Sequence, residues 1–166
     1  MPSSQSGTGD LGEWFELYNP STTDYLELTG CVLKDNTTGY AGHTIAPANG
    51  TTLIGPGDYL VFAQSGVAAE NHGLAQDYVY SEPAPATLSI VLSNSGDNLS
   101  ITCGATVIES FTYTSSTISI VAGRSVQLDS GLLNATANDT GSNWCQSSGA
   151  STYGTAGKIG TPGAAN

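Results

Sequence analysis

Two histidines, fourteen carboxylates and three cysteines are the side chains of this 166-residue chain with reactive chemistry to offer. A nucleophilic serine needs a base beside it, and His43 and His72 are the two imidazoles available. His43 opens a short predicted strand, His72 stands in a loop before Gly73, and no GxSxG elbow is present. Both are read as surface histidines. Glu13 with Glu16, or Glu27 with Glu109, would make the carboxylate pair of a glycosidase if the fold joined them. Their ordinary reading is solvated carboxylate on a sheet surface. No catalytic residue is assigned, and the chain is not expected to be an enzyme.

Zinc is disfavoured, because no CxxC or HExxH spacing occurs. Calcium is the one cofactor left open. Residues 129–140 concentrate oxygen ligands, with Asp129, Asn134, Asn138 and Asp139 the candidate set. Asx turns and caps use the same oxygens. Trp14 and Tyr18, on one face of a predicted strand with Glu16 between them, are the aromatics best placed to form an exposed stripe for stacking on a sugar or a protein. Cys103 ends a predicted strand, and Cys145 follows Trp144 in a glycine- and serine-rich region that a covalent tie would hold down. A Cys103–Cys145 disulfide is therefore expected, worth about 4 kcal/mol for a loop of roughly 40 residues. Cys31 is then a small buried hydrophobe. Three reduced cysteines in a cytosolic protein is the alternative.

Composition bounds the partners. Lys34, Arg124 and Lys158 stand against fourteen acidic residues, for a formal charge of −11. Such a surface repels phosphate backbones and anionic lipid heads, so nucleic acid is not an expected partner. No apolar run approaches the ~18 residues of a membrane helix, and no membrane insertion is expected. MPSSQSGTGD has neither the basic nor the apolar region of a signal peptide. The expectation is a secreted or cell-surface protein whose signal or anchor lies outside this chain. Residues 1–9 are expected to be disordered or an addition, and 10–166 one domain.

The elements that must position these groups read as strands. Residues 13–19 alternate, with Trp14, Glu16 and Tyr18 on one face and Phe15 and Leu17 on the other, which is the better core face. Asn19-Pro20-Ser21 breaks that strand. Residues 59–63, YLVFA, are apolar enough for a central strand. Residues 64–85 are expected to be loop, with a helical turn at 66–70 and a short edge strand at 78–80 halted by Pro83 and Pro85. Asn49-Gly50 suits a tight hairpin. Residues 88–93 and 98–102 flank Asn94-Ser95-Gly96-Asp97 as the clearest hairpin of the chain. In 106–113, Val107, Glu109, Phe111 and Tyr113 should share one face. Strands recur about every ten residues, the pattern of an all-β sandwich. Beyond them, residues of about 114–166 form an irregular arm, expected to wrap onto the strands because Leu132, Leu133, Trp144, Tyr153 and Ile159 are too apolar for a free tail.

EWFELYN at 13–19, GPGDYLVFA at 55–63 and the closing GTPGAAN resemble the bacterial form of the lamin-tail domain, an immunoglobulin-like sandwich also found in animal nuclear lamins. The likeness to the animal form covers residues 12–113, while GRSVQLDSG, NWC and GTPGAAN resemble only bacterial versions. The resemblance implies an immunoglobulin-like antiparallel β-sandwich carrying the C-terminal arm. It also implies a non-catalytic structural or interaction module of a secreted or surface-attached bacterial protein. Its partner would be a protein or a surface polysaccharide, and the chain a monomer or weak homo-oligomer. A carbohydrate- or calcium-binding accessory module of a secreted hydrolase is the alternative.

Overall fold

A computed structural model describes residues 11–80, 89–149, 151–154 and 157–165. The expectations for residues 1–9, for Leu88 and for Pro83 and Pro85 lie outside the described residues. The described chain is all-β. Its strands are β1 (Trp14–Tyr18), β2 (Leu26–Glu27), β3 (Val32–Lys34), β4 (His43–Thr44), β5 (Leu53–Ile54), β6 (Tyr59–Ala63) and β7 (Tyr78–Val79). They continue as β8 (Gly96–Cys103), β9 (Thr106–Thr114), β10 (Val126–Leu128), β11 (Trp144–Gln146), β12 (Thr152–Tyr153) and β13 (Lys158–Ile159). Short 3-10 turns cover Pro47–Asn49, Ser130–Leu132 and Gly141–Asn143.

Two larger sheets carry the core. One has the order β1-β6-β7, the other β4-β3-β8-β9, and two-stranded pairs β2-β5, β10-β11 and β12-β13 surround them. The YLVFA strand is central as its composition requires, with Leu60 to Ala63 buried. Leu60 and Phe62 from one sheet meet Leu33 and Ile101 from the other in a single cluster, with Phe15 and Leu17 packed against it. Phe15 stacks on Phe62 at 4.8 Å. The predicted parity of β1 therefore holds. Asn19 stops that strand by turning its side chain onto the carbonyls of Asp24, Ile54 and Gly55.

Several expectations change once register is known. The 78–80 segment is an edge strand, but β7 runs parallel to β6, with residues 64–77 as the crossover that parallel pairing demands. Asn49-Gly50 makes no two-residue hairpin. It closes the Pro47–Asn49 turn, and Gly50 bridges Tyr78 so closely that any side chain would strike the Asp77 carbonyl. In β9 the parity slips at a bulge, because Ile101 faces Glu109 while Thr102 faces Val107. The extra residue, Ile108, turns to the core, and Val107 is left 59% exposed.

The largest change is at the expected 94–97 hairpin. Residues 89–93 form no strand, and β8 pairs with β3 and β9 instead. Three buried carboxylates take the place of a neighbouring strand. The amides of Val91, Leu92 and Ser93 donate to Asp35 Oδ2, Glu13 Oε2 and Asp97 Oδ2 at 2.9, 2.8 and 3.0 Å. Asp35 also holds the Thr37 amide, and Asp97 those of Asn36 and Asn98. Tyr113 closes the strap by donating its hydroxyl to the Ser93 carbonyl at 2.7 Å. Burial, then the nearby Asp97, Glu13 and Asp35, push the Tyr113 phenol up, which keeps it a donor.

The cysteine pairing is also corrected. Cys31 joins Cys103, and Cys145 is free and exposed. Register explains this, since Val32 faces Thr102 in the β3-β8 ladder and the residues one step further along are Cys31 and Cys103. Cα atoms 4.2 Å apart suit a bridge between facing strands. The arm needs no covalent tie. Trp144 packs its ring at a tilt against Phe111, centroids 4.8 Å apart, and Trp14 Nε1 donates to Tyr153 Oη at 2.9 Å. A disulfide points to folding in a non-reducing environment, and no helix among the described residues is long and apolar enough to cross a membrane.

Three measurements check this account. A thiol reagent added to native, oxidised protein should label Cys145 alone, and replacing Cys31 and Cys103 with alanine should lower unfolding free energy by about 2–4 kcal/mol in urea. Asp97→Ala strands the amides of Asn36, Ser93 and Asn98 and should cost about 3 kcal/mol or more, whereas Asp24→Ala at an exposed turn should cost under about 0.5 kcal/mol.

Candidate binding cleft

Among the described residues each larger sheet ends in a strand with one partner, β1 beside β6 and β9 beside β8. The space they border is a cavity of about 410 Å³. Phe15 and Leu17 of β1 line it, as do Leu99 and Ile101 of β8 and Phe111 and Tyr113 of β9. The arm supplies the remaining wall through Val126, Leu128, Leu133 and Trp144. Around it Phe15, Leu17, Phe111 and Trp144 are only half-buried. The volume and the mostly apolar walls are those of a ligand pocket.

Polar groups are few. Glu109 of β9 stands at the cleft, while Glu16, Tyr18 and Tyr59 border it from the Trp14 face of β1 and β6, the side opposite Phe15 and Leu17. Glu16 Oε2 accepts the Gly163 amide at 2.9 Å. Burial pushes its carboxyl up to about 7, and the Gly163 hydrogen bond offsets only part of that. Tyr59, paired with Tyr18 across β1-β6 with rings 4.8 Å apart, is pushed up by burial, then by Glu16 and Tyr18. Glu109 Oε1 accepts its neighbour's amide, Ser110 N, at 2.8 Å.

The residues singled out from sequence fall elsewhere or in other roles. Trp14 and Tyr18 do share a face, but they form no exposed stripe. Trp14 is 4% exposed beneath Tyr153, and Tyr18 is half-buried against Tyr59. The arm covers this face, and Gly154 lies so close to the His72 carbonyl that a side chain would collide there. The calcium set is not assembled as ligands. Asp129 caps the Ser130–Leu132 turn through the Gly131 amide, and Asn134 Oδ1 takes the amides of Thr136 and Ala137. The Asn138 carbonyl accepts Trp144 Nε1, and Asp139 is exposed. Among the described residues no group of three His, Cys, Asp or Glu side chains is placed to hold a metal.

His43 is not on the surface. It is 2% exposed, with Nε2 2.7 Å from Tyr78 Oη, which also accepts the Ala46 amide. His72 sits in the turn at φ 61°. Neither proposed carboxylate pair shares a site, since Glu13 is buried on the Leu92 amide while Glu16 borders the cleft from the Trp14 face of β1, and exposed Glu27 holds the Thr29 amide while Glu109 stands at the cleft. Sequence reasoning missed the cleft, because its walls come from β1, β9 and an arm whose wrapping was legible but whose place of docking has no local signal. The half-apolar face of β9 with one carboxylate was the available hint.

No family model matches the chain, and no curated protein or solved structure matches it either.

Glu16 makes stability depend on pH. The folded chain keeps the Glu16 proton up to about pH 7, while the unfolded chain releases it near 4.5. Stability is therefore greatest below pH 4.5 in this respect and falls as pH rises to about 7, by at most about 3 kcal/mol. Glu16→Gln should flatten that part of the urea stability profile between pH 4.5 and 7 and leave the variant more stable than the parent at pH 8.

Proposed function

We propose that this chain is a non-catalytic interaction module of a secreted or surface-attached bacterial protein, and that its cleft holds an extended segment of a partner protein. In this reading the two larger sheets are those of an immunoglobulin-like sandwich of the lamin-tail type. The shared core of the two sheets and the motifs at 13–19, 55–63 and 160–166 support that architecture. The disulfide between β3 and β8 supports an oxidising location.

The observation that carries the binding reading is the apolar cleft bordered by two strands that, among the described residues, each pair with one neighbour. An extended chain laid along either edge gains main-chain hydrogen bonds, and its alternate side chains enter the cavity. A partner segment of that kind matches both features at once. The acidic surface selects against acidic partners, nucleic acid among them.

Trp144 in the cleft wall provides the readout. A capped heptapeptide with valine at even and threonine at odd positions should give a saturable change in tryptophan fluorescence. Phe111→Ser and Leu133→Glu should each weaken binding about tenfold or more, since each removes apolar contact in the cleft. Unchanged affinity in both variants, or no saturable binding by the parent, would sink the reading.

A further inference from the structure

We propose that the partner segment adds to β9 and not to β1, pairing at Ser110 and Thr112, and that Glu109 is the gate it displaces. The Glu109 side chain occupies the Ser110 amide that an incoming strand needs. The inference rests on the cleft reading and adds the edge, the register and the residue that guards it.

The ladder decides which groups of β9 face outward. The Ser115 amide donates to the Ser95 carbonyl at 3.0 Å, and hydrogen-bonded pairs of an antiparallel ladder recur at every second residue. Asp97–Tyr113, Leu99–Phe111 and Ile101–Glu109 are therefore the pairs that bond inward. Ser110, Thr112 and Thr114 turn their amides and carbonyls away from β8. Two contacts agree with that parity, since Glu109 Oε1 accepts the Ser110 amide at 2.8 Å and Thr117 Oγ1 accepts the Thr114 amide at 2.9 Å. The Thr114 carbonyl is also taken, by the amides of Thr117 and Ile118. Among the described residues nothing bonds the Ser110 carbonyl or either main-chain group of Thr112, and both residues are exposed.

The edge of β1 differs. The Glu13 carbonyl accepts the Gln64 amide and the Asn19 amide donates to the Asp58 carbonyl, so odd-numbered residues bond β6 while Trp14, Glu16 and Tyr18 turn their main-chain groups to the edge. Trp14 is buried beneath Tyr153, Glu16 is held by the Gly163 amide, and Tyr18 is half-buried against Tyr59. A strand added there has to fit beside the docked arm. On β9 it meets solvent.

Glu109 sets a threshold for that addition. A charged side chain at a sheet edge blunts pairing with a passing strand. Its hydrogen bond to the Ser110 amide is charge-assisted, whereas the carbonyl of an incoming segment offers a neutral one. Main-chain pairing alone is therefore a poor exchange. A segment whose alternate side chains also bury in the cleft gains the difference, and half-buried Glu109 turns to water once released.

Amide hydrogen exchange by NMR on the oxidised full chain, with the capped valine–threonine heptapeptide as probe, tests this. Saturating peptide should slow exchange of the Thr112 amide about tenfold or more and leave those of Glu16 and Tyr18 unchanged. Glu109→Ala should speed exchange of the Ser110 amide in the free protein and tighten peptide binding about fivefold. Glu109→Gln keeps an oxygen for that amide and should gain less than Glu109→Ala. Protection at Glu16 or Tyr18, or an unchanged Thr112 in the peptide complex, overturns the inference and leaves the cleft reading standing. So does a Glu109→Ala variant that binds no more tightly than the parent, because the segment then pairs without displacing a gate. Equal gains in the two variants overturn it as well, since the charge and not the occupied amide is then the restraint. If the parent shows no saturable binding, the cleft reading fails and this inference with it.

Discussion

Residues 91–93 pair with no strand among the described residues, and the fold depends on how their amides are satisfied. A buried backbone N–H without an acceptor costs as much as a lost hydrogen bond or more. Asp35, Glu13 and Asp97 supply those acceptors from three separate parts of the chain, each 4–5% exposed. Glu13 leads into β1, Asp35 follows β3 and Asp97 lies in β8, so the strap ties the edge of one sheet to the other. Tyr80, fully buried and pushed well up by its burial, then by Glu13, Tyr113 and Asp35, completes the low-dielectric surroundings of this junction. A chain poor in charge has spent three of its carboxylates inside.

That device separates what sequence shows from what it conceals. The alternation in β1 and the apolar run of β6 are local, and both were legible, down to which residues of β1 face the core. Period-2 patterning reports a face because one side of the strand is buried. Asp97 looked like a turn former in NSGD, and as a turn residue it would be exposed. Its burial follows from a strap whose position depends on Asp35 and Glu13, far away in sequence. Val107 was assigned to the wrong face for a related reason, since one bulged residue reverses the parity of everything on one side of it.

The cysteines teach the same lesson about register. Cys103 was correctly seen at a strand end, and Cys145 was chosen because it sits in an arm that looked in need of support. The β3-β8 ladder decided otherwise by setting Cys31 opposite Cys103. The arm is held instead by aromatic contacts, Trp144 on Phe111 and Tyr153 on Trp14, which also explains why Trp14 failed as a surface stripe. Of the cleft, the apolar residues were legible as residues and the cavity was not, because a space between β1, β9 and the arm belongs to no stretch of sequence.

The arm's docking has a consequence for the order of events in synthesis. The residues that cover β1 are translated long after it, since Gly163 reaches Glu16 across 147 positions and Tyr153 reaches Trp14 across 139. Contacts so distant in sequence require most loop closure to be complete before they form, which slows folding. The first strand therefore leaves the ribosome long before its cover exists, with Trp14 and the cleft wall open to water. The Cys31–Cys103 bridge spans 72 positions, so in a non-reducing environment it can close while β1 still waits for its cover.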